Sequence, residues 1–244
     1  MLRTAVRNFV IFVISIILSL VIYSFSSAEV SDGYRMGMIT NVQSTGWFVK
    51  SIEGELLMGV DGVPLKETFT STDSKGNTTT HTNIINPWSF TYKGNIPMIS
   101  AQVGQYLVVH YTKSFIRNPF AEDTAYSVDL YEPIDMSPIE DSISVPGFLS
   151  SKAEGALVGR IVQASYHGLA IKTYEATIQV GVGGGQYKFM TIGNEDVYKY
   201  SIEVLKRAKL VKIYYEKLGI MNIGSFSNND YRIIKIEVIN SRSN

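Results

Sequence analysis

Two lysine–glutamate pairs are the most suggestive polar groups in the chain, Lys50 with Glu53 and Lys172 with Glu175, alike in type and spacing. A cation and a carboxylate held together can bind and orient a charged ligand. On a continuous strand, however, residues three apart face opposite sides, so direct pairing needs a bend or a bulge. The simpler reading is an exposed ion pair or turn cap, which contributes little. Trp47 and Trp88, among Phe48, Phe90, Tyr92, Tyr106 and Tyr111, supply rings that anchor a partner or ligand if they face outward. Their alternation suits core and cross-strand packing better. Lys50, Glu53, Lys172, Glu175, Trp47 and Trp88 together form the candidate interaction surface.

Catalytic chemistry finds little support. His81, His110 and His167 share no short metal-ligand spacing, so neither a metal site nor zinc hydrolysis is expected. No Gly-x-Ser-x-Gly occurs, and His110 with Ser114 and Asp123 is only a sequence neighbourhood. There is no cysteine, which removes thiol nucleophiles and disulfide staples. No catalytic residue, metal or cofactor is therefore assigned. With 22 basic and 22 acidic side chains in 244 residues, the chain has no large cationic field, and nucleic acid is excluded as a partner on that ground.

The elements that position these residues begin with a membrane segment. Arg3 and Arg7 precede an apolar run from Phe9 to Phe25 broken only by Ser15, Ser19 and Ser24. At about 1.5 Å per residue it matches a hydrocarbon layer, and the preceding arginines orient the N-terminus inward. Residues 9–25 are read as an uncleaved anchor in the lipid bilayer; the alternative is a cleaved signal ending at Ala28, giving a periplasmic or secreted protein. Either way, residues 29–244 lie outside the cytoplasm of a bacterial cell.

Beyond the anchor the chain repeats itself. Gly33, Gly37, Ile39, Gly46, Lys50, Glu53 and Gly59 recur without a gap as Gly155, Gly159, Ile161, Gly168, Lys172, Glu175 and Gly181. Trp88-Ser-Phe90 resembles Tyr187-Lys-Phe189, Leu107–Tyr111 resembles Val211–Tyr215, and Tyr126–Glu132 resembles Tyr231–Glu237. Runs rich in Val, Ile, Tyr and Thr predict strands near 36–42, 46–52, 54–60, 87–92, 105–112 and 126–131, then 157–165, 168–174, 175–181, 186–191, 209–216 and 231–239. Val197, Tyr200, Val204 and Ala208 predict an amphipathic helix within 194–208, matched in the first copy by a shorter stretch, 95–102.

The expected fold is mainly β: an N-terminal membrane helix and two related small antiparallel β-barrels of OB-like or SH3-like kind, each with one short helix. An open half-barrel is the alternative. The expected organisation is residues 1–28 as anchor or signal, 29–132 as first barrel, 133–154 as a Pro-containing extended spacer, and 155–244 as second barrel. Residues 61–86 insert a polar hairpin tip into the first copy.

Ser31-Asp-Gly33-Tyr-Arg35-Met-Gly37, Ser44-Thr-Gly46, Lys50-Ser-Ile-Glu53-Gly-Glu-Leu56 and Trp88-Ser-Phe90 resemble a family of small single-pass bacterial membrane proteins. Its members often carry a misleading 6-phosphogluconate dehydrogenase label. The resemblance covers residues 9–112, with a degenerate copy over 155–237, and implies fold and topology rather than chemistry. Thr45 stands where the family has lysine, Ser51 where it has threonine, and Ala176 where it has glycine. The dehydrogenase label fails physically, because Gly181-Val-Gly183-Gly-Gly185 leads from strand to strand, whereas a phosphate cradle needs a helix N-terminus.

The expectation is a non-enzymatic, membrane-anchored envelope protein of the bacterial inner membrane, in which tandem β domains serve interaction or assembly with an envelope protein partner. Two modules on one anchor benefit from high effective concentration. The alternatives are an exported small-ligand sensor and a periplasmic hydrolase.

Overall fold

In this computed structural model the described residues are 10–17, 29–46, 50–60, 66–72, 78–115, 124–139, 142–145, 153–168, 172–182, 186–217 and 231–239; for 66–72, 78–85 and 153 only the backbone is described. Helix α1 covers residues 10–17. The first barrel comprises β1 (Glu29–Thr45), β2 (Ser51–Met58), β5 (Trp88–Tyr92), α2 (Ile96–Ser100), β6 (Tyr106–Ser114) and β7 (Tyr126–Pro133), and the hairpin β3 (Lys66–Thr72) and β4 (Thr78–Ile85) forms a separate two-stranded sheet. After β8 (Ser142–Ser144), the second comprises β9 (Ala153–His167), β10 (Thr173–Val180), β11 (Gln186–Ile192), α3 (Glu195–Lys206), β12 (Val211–Lys217) and β13 (Tyr231–Val238).

Both copies close the same way. β1 pairs with β2, β2 with β5, β5 with β7, β7 with β6 and β6 back to β1, every contact antiparallel except β5 with β7. β9, β10, β11, β13 and β12 repeat that circuit, with β11 and β13 parallel. These are closed five-stranded barrels of OB type with a helix before the last two strands. Closure removes most free edges.

The matched glycines explain why the copies bend alike. A Cβ at Gly37 would lie 2.3 Å from the Leu57 carbonyl oxygen, and one at Gly159 2.3 Å from that of Gln179. Each copy has a bulge just beyond, at Thr40 and at Val162, which lets a single strand turn from one neighbour to the next. Gly46 and Gly168 end the long strands with φ of 100° and 110°, a conformation that disfavours any Cβ.

The structure departs from expectation in detail. The paired strands expected at 46–52 and 54–60 are one strand, β2, and their counterparts form β10. Glu53 faces Thr91 and Glu175 faces Thr191, so Trp88 corresponds to Lys188 and not to Tyr187. The spacer is not free, since Ser142–Ser144 adds to β13 and Asp135 meets Arg207 at 3.2 Å.

The helices follow local rules. The Asn194 side chain caps α3 by accepting from the Val197 N–H at 2.9 Å, with Glu195 and Asp196 in the first turn and Lys206 in the last. Among the described residues no helix is long and apolar enough to cross a membrane, and the structure adds no support to the expected membrane helix over 9–25. The remainder of 9–25 lies outside the described residues.

The barrels share one sheet. Ser31–Arg35 of β1 pairs antiparallel with Gln163–His167 of β9, while β6 occupies the other edge of the same segment. A Cβ at Gly33 would sit 2.4 Å from the Ala164 carbonyl oxygen and 2.5 Å from the Ser165 Cβ, so only glycine admits both neighbours. Side chains lock the contact beyond the strands. Gln179 clamps Val60, accepting from its N–H at 3.0 Å and donating to its carbonyl at 2.9 Å. The Tyr187 hydroxyl donates to the Met58 carbonyl at 2.8 Å. The buried apolar residues of both copies form one contiguous core.

Gly33→Ala is expected to lower unfolding free energy by about 1–3 kcal/mol through overpacking. A urea titration followed by far-UV circular dichroism measures this, and an unchanged midpoint would refute the tight junction.

Candidate functional site

The repeated glutamates occupy equivalent places with different partners. Glu53 turns inward and accepts from the Thr91 hydroxyl at 2.9 Å, whereas Glu175 meets His167 Nε2 at 3.0 Å. Lys50 and Lys172 are exposed just before their strands, and Lys172 Nζ lies 4.2 Å from the Tyr166 ring. Carboxylates point in and ammonium groups out, so neither spacing-three pair closes into an ion pair among the described residues. Trp47 lies outside the described residues.

Trp88 is buried, and its ring faces a guanidinium. Arg35, only 7% exposed, places its Cζ 4.2 Å from the Trp88 ring centroid, 4.8 Å from Tyr111 and 5.2 Å from Tyr126. In such a desolvated setting cation–π attraction reaches about 2 kcal/mol. This cage was missed from the sequence, because its members come from β1, β5, β6 and β7 and share no spacing.

Two histidine constellations also appear. Ser165 Oγ lies 3.1 Å from His167 Nε2, the same nitrogen that meets Glu175. A nucleophile–base–acid relay needs the serine and the acid on opposite ring nitrogens and a reachable serine, and Ser165 is fully buried. This is a structural network, extended by Gln163 Nε2 donating to Ser165 Oγ at 3.1 Å and to the Tyr111 hydroxyl at 3.2 Å. The described residues hold no group able to bind a metal ion.

His110 binds Asp32 through Nε2 at 3.2 Å and Asp129 through Nδ1 at 2.8 Å, rather than its sequence neighbour Ser114, while Asp123 lies outside the described residues. A bulge between His110 and Tyr111 in the β6–β7 register turns Asp129 toward the ring. The bond to Asp32, with that to Asp129, outweighs desolvation and pushes the imidazole up to about 9.

A cleft of about 200 Å³ lies in the first barrel, lined by Asn41, Gln43, Glu53, Gly54, Glu55, Ser89 and Thr124. Its counterparts in the second barrel include Gln163, Ser165, Glu175 and Thr177, all buried. Gly33 and Tyr111 of the first barrel lie on Ser165 and Gln163 there. One copy of this polar face is thus occupied within the chain and the other is open.

No protein-family model matches the chain, and no curated protein does. Among solved structures, it is similar to the wild-type single-stranded DNA binding protein from Thermus aquaticus, at 10% identity and a TM-score of 0.21, covering 87% of this chain and 94% of that one. The exclusion of nucleic acid is corrected beside this finding, since near-neutral net charge alone does not exclude such a partner. At that TM-score the likeness carries no argument for binding.

The His110 cluster predicts a pH dependence. Its folded pKa lies above the ordinary 6.5, so its stabilisation is complete below pH 6.5 and is lost as pH rises through about 9. Histidine NMR titration should place the His110 midpoint near 9, with Asp32→Asn lowering it; a midpoint near 6.5 in the parent chain would refute the bridging geometry.

Proposed function

We propose that this chain is a non-enzymatic binding module, anchored in a membrane by residues 9–25 and presenting its two barrels outside the cytoplasm for interaction or assembly. The observation that carries this reading is the asymmetry of the repeated polar face. The Gln163–Ser165–Glu175 face holds a strand of the same chain, which is strand addition in cis. The Asn41–Gln43–Glu53–Glu55 face presents the same backbone geometry along the cleft, where the Glu55 carboxylate favours a cationic partner. Arg3 and Arg7 ahead of the apolar run support the outward placement.

A second reading is favoured by a different observation. Tyr215 and Tyr231 pack edge to face at 5.5 Å, with Lys188 Nζ 5.6 and 5.9 Å from their ring centroids and Lys217 Nζ 5.4 Å from Tyr231. Rings flanked by cations stack bases and neutralise phosphates, so this face of the second barrel suits single-stranded nucleic acid.

The two readings separate in two measurements. Crosslinking of cells expressing the tagged full chain, followed by purification from membranes and mass spectrometry, should return residues 1–28 intact and a reproducible envelope partner. Capture of that partner should fall about tenfold with Glu55→Arg, a change of about 1.4 kcal/mol. A chain beginning at Glu29 with no partner would overturn the first reading. Saturable, salt-sensitive binding of a labelled oligothymidine that is lost with Tyr215→Ala would establish the second.

A further inference from the structure

The contact between the barrels is head to tail. It joins the first half of β1, Ser31–Arg35, to the second half of β9, Gln163–His167. Since each residue of the first copy corresponds to the one 122 positions later, the counterparts of these segments are residues 153–157 of β9 and Asn41–Thr45 of β1. A two-fold contact would have used both sets at once. Here the second set is left over.

Those leftover edges are open. Asn41–Thr45 pairs with β2 along one side only, and 153–157 pairs with β12 along one side only, so each has a second edge without a strand partner among the described residues. Asn41, Gln43 and Ser44 are exposed, as are Glu154 and Ala156, whereas of their used counterparts Gln163 and Ser165 are buried and Tyr166, Asp32 and Tyr34 are half-buried. The 200 Å³ cleft beside Asn41 and Gln43 is the vacant copy of the face that receives Gly33 and Tyr111 within the chain. Gly155 is retained at the position of Gly33. The Tyr215 ring rests over it, in the place that Ser165 takes over Gly33.

Charge agrees with the geometry. The vacant face carries Glu53 and Glu55, and the face around Gly155 carries Lys188 and Lys217 beside Tyr215 and Tyr231. In the first barrel the cation over the equivalent rings is Arg35, on β1. In the second, Leu157 stands at that position and Lys188 stands at the position of Trp88, so the cation returns to the same ring pair from another strand.

We infer that the open edge Asn41–Thr45 receives residues 153–157 of a second copy of this chain, antiparallel, with Ser44 opposite Glu154 and Gln43 opposite Gly155. A heterologous contact of this kind leaves one free edge at each end, and so extends into a linear or ring-shaped array. The Tyr215 ring swings off Gly155 on docking. This inference rests on the binding reading above and names the partner of its open face.

The chain has no cysteine, so introduced thiols report the contact without background. Full-length Ser44→Cys and Glu154→Cys chains, in mild detergent, would be oxidised separately and mixed; paired strand positions lie within disulfide reach. The expected result is a linked heterodimer from the mixture, none from either chain alone, and a ladder beyond dimer from the Ser44→Cys/Glu154→Cys double variant. The intramolecular counterpart, Asp32→Cys with Tyr166→Cys, should close within one chain and shows that the fold and the chemistry are intact. With that control closed, three outcomes would overturn the inference: no intermolecular link, homodimers of a single variant, or a foreign protein linked at Ser44→Cys. The last outcome leaves the binding reading standing, whereas absence of both a ladder and any membrane partner removes both.

Discussion

The architecture turns on one close approach, the backbone of Gly33 against Ser165. β1 has β6 on one edge and β9 on the other over the same residues, and no side chain fits between them. Because that contact is made by strand hydrogen bonds as well as side chains, the barrels merge into one sheet and one core instead of sitting as beads on a spacer. Gln179 on Val60 and Tyr187 on Met58 then seal the contact from the far side. The spacer composition of 133–154 has little say in where the barrels sit, because the sheet decides it.

The same approach separates the fates of two nearly identical faces. Both copies preserve a bulge, an inward glutamate and a glycine at the strand end, so their backbones present the same concavity. In the second copy that concavity is filled by the first, and its glutamate is drawn into a network with His167, Ser165 and Gln163. In the first copy the glutamate accepts from the Thr91 hydroxyl and the concavity beside it is a cleft. Buried polar groups must find partners. Their choice of partners here records which face was covered.

Arg35 illustrates how a charge is accommodated in such a junction. It lies between three rings, which replace part of its hydration with quadrupole attraction. On the opposite side of the sheet, His110 bridges Asp32 and Asp129 and ties β1, β6 and β7 together. The neighbouring Tyr34, Tyr166, Tyr174 and Tyr198 form an aromatic layer under α3, with Tyr174 and Tyr198 stacked at 4.7 Å.

Much of this was legible in the residues. Strand placement followed from β-branched runs and glycine punctuation, the α3 helix from Val197, Tyr200 and Val204, and the repeat from glycines whose positions have steric causes at Gly37 and Gly159. Local chemistry sufficed for each. The one-residue slip that matched Trp88 to Tyr187 arose because aromatic identity outweighed register, which only hydrogen bonding reveals. The amino-acid sequence by itself therefore determined two copies of one β unit and the bends within each, since these depend on neighbours a few residues apart. Tertiary structure alone decided the junction, the Arg35 cage, the His110 bridge and which polar face stays open. Those depend on contacts between residues such as Gly33 and Ser165, which no periodicity connects and only the closing of both barrels brings together.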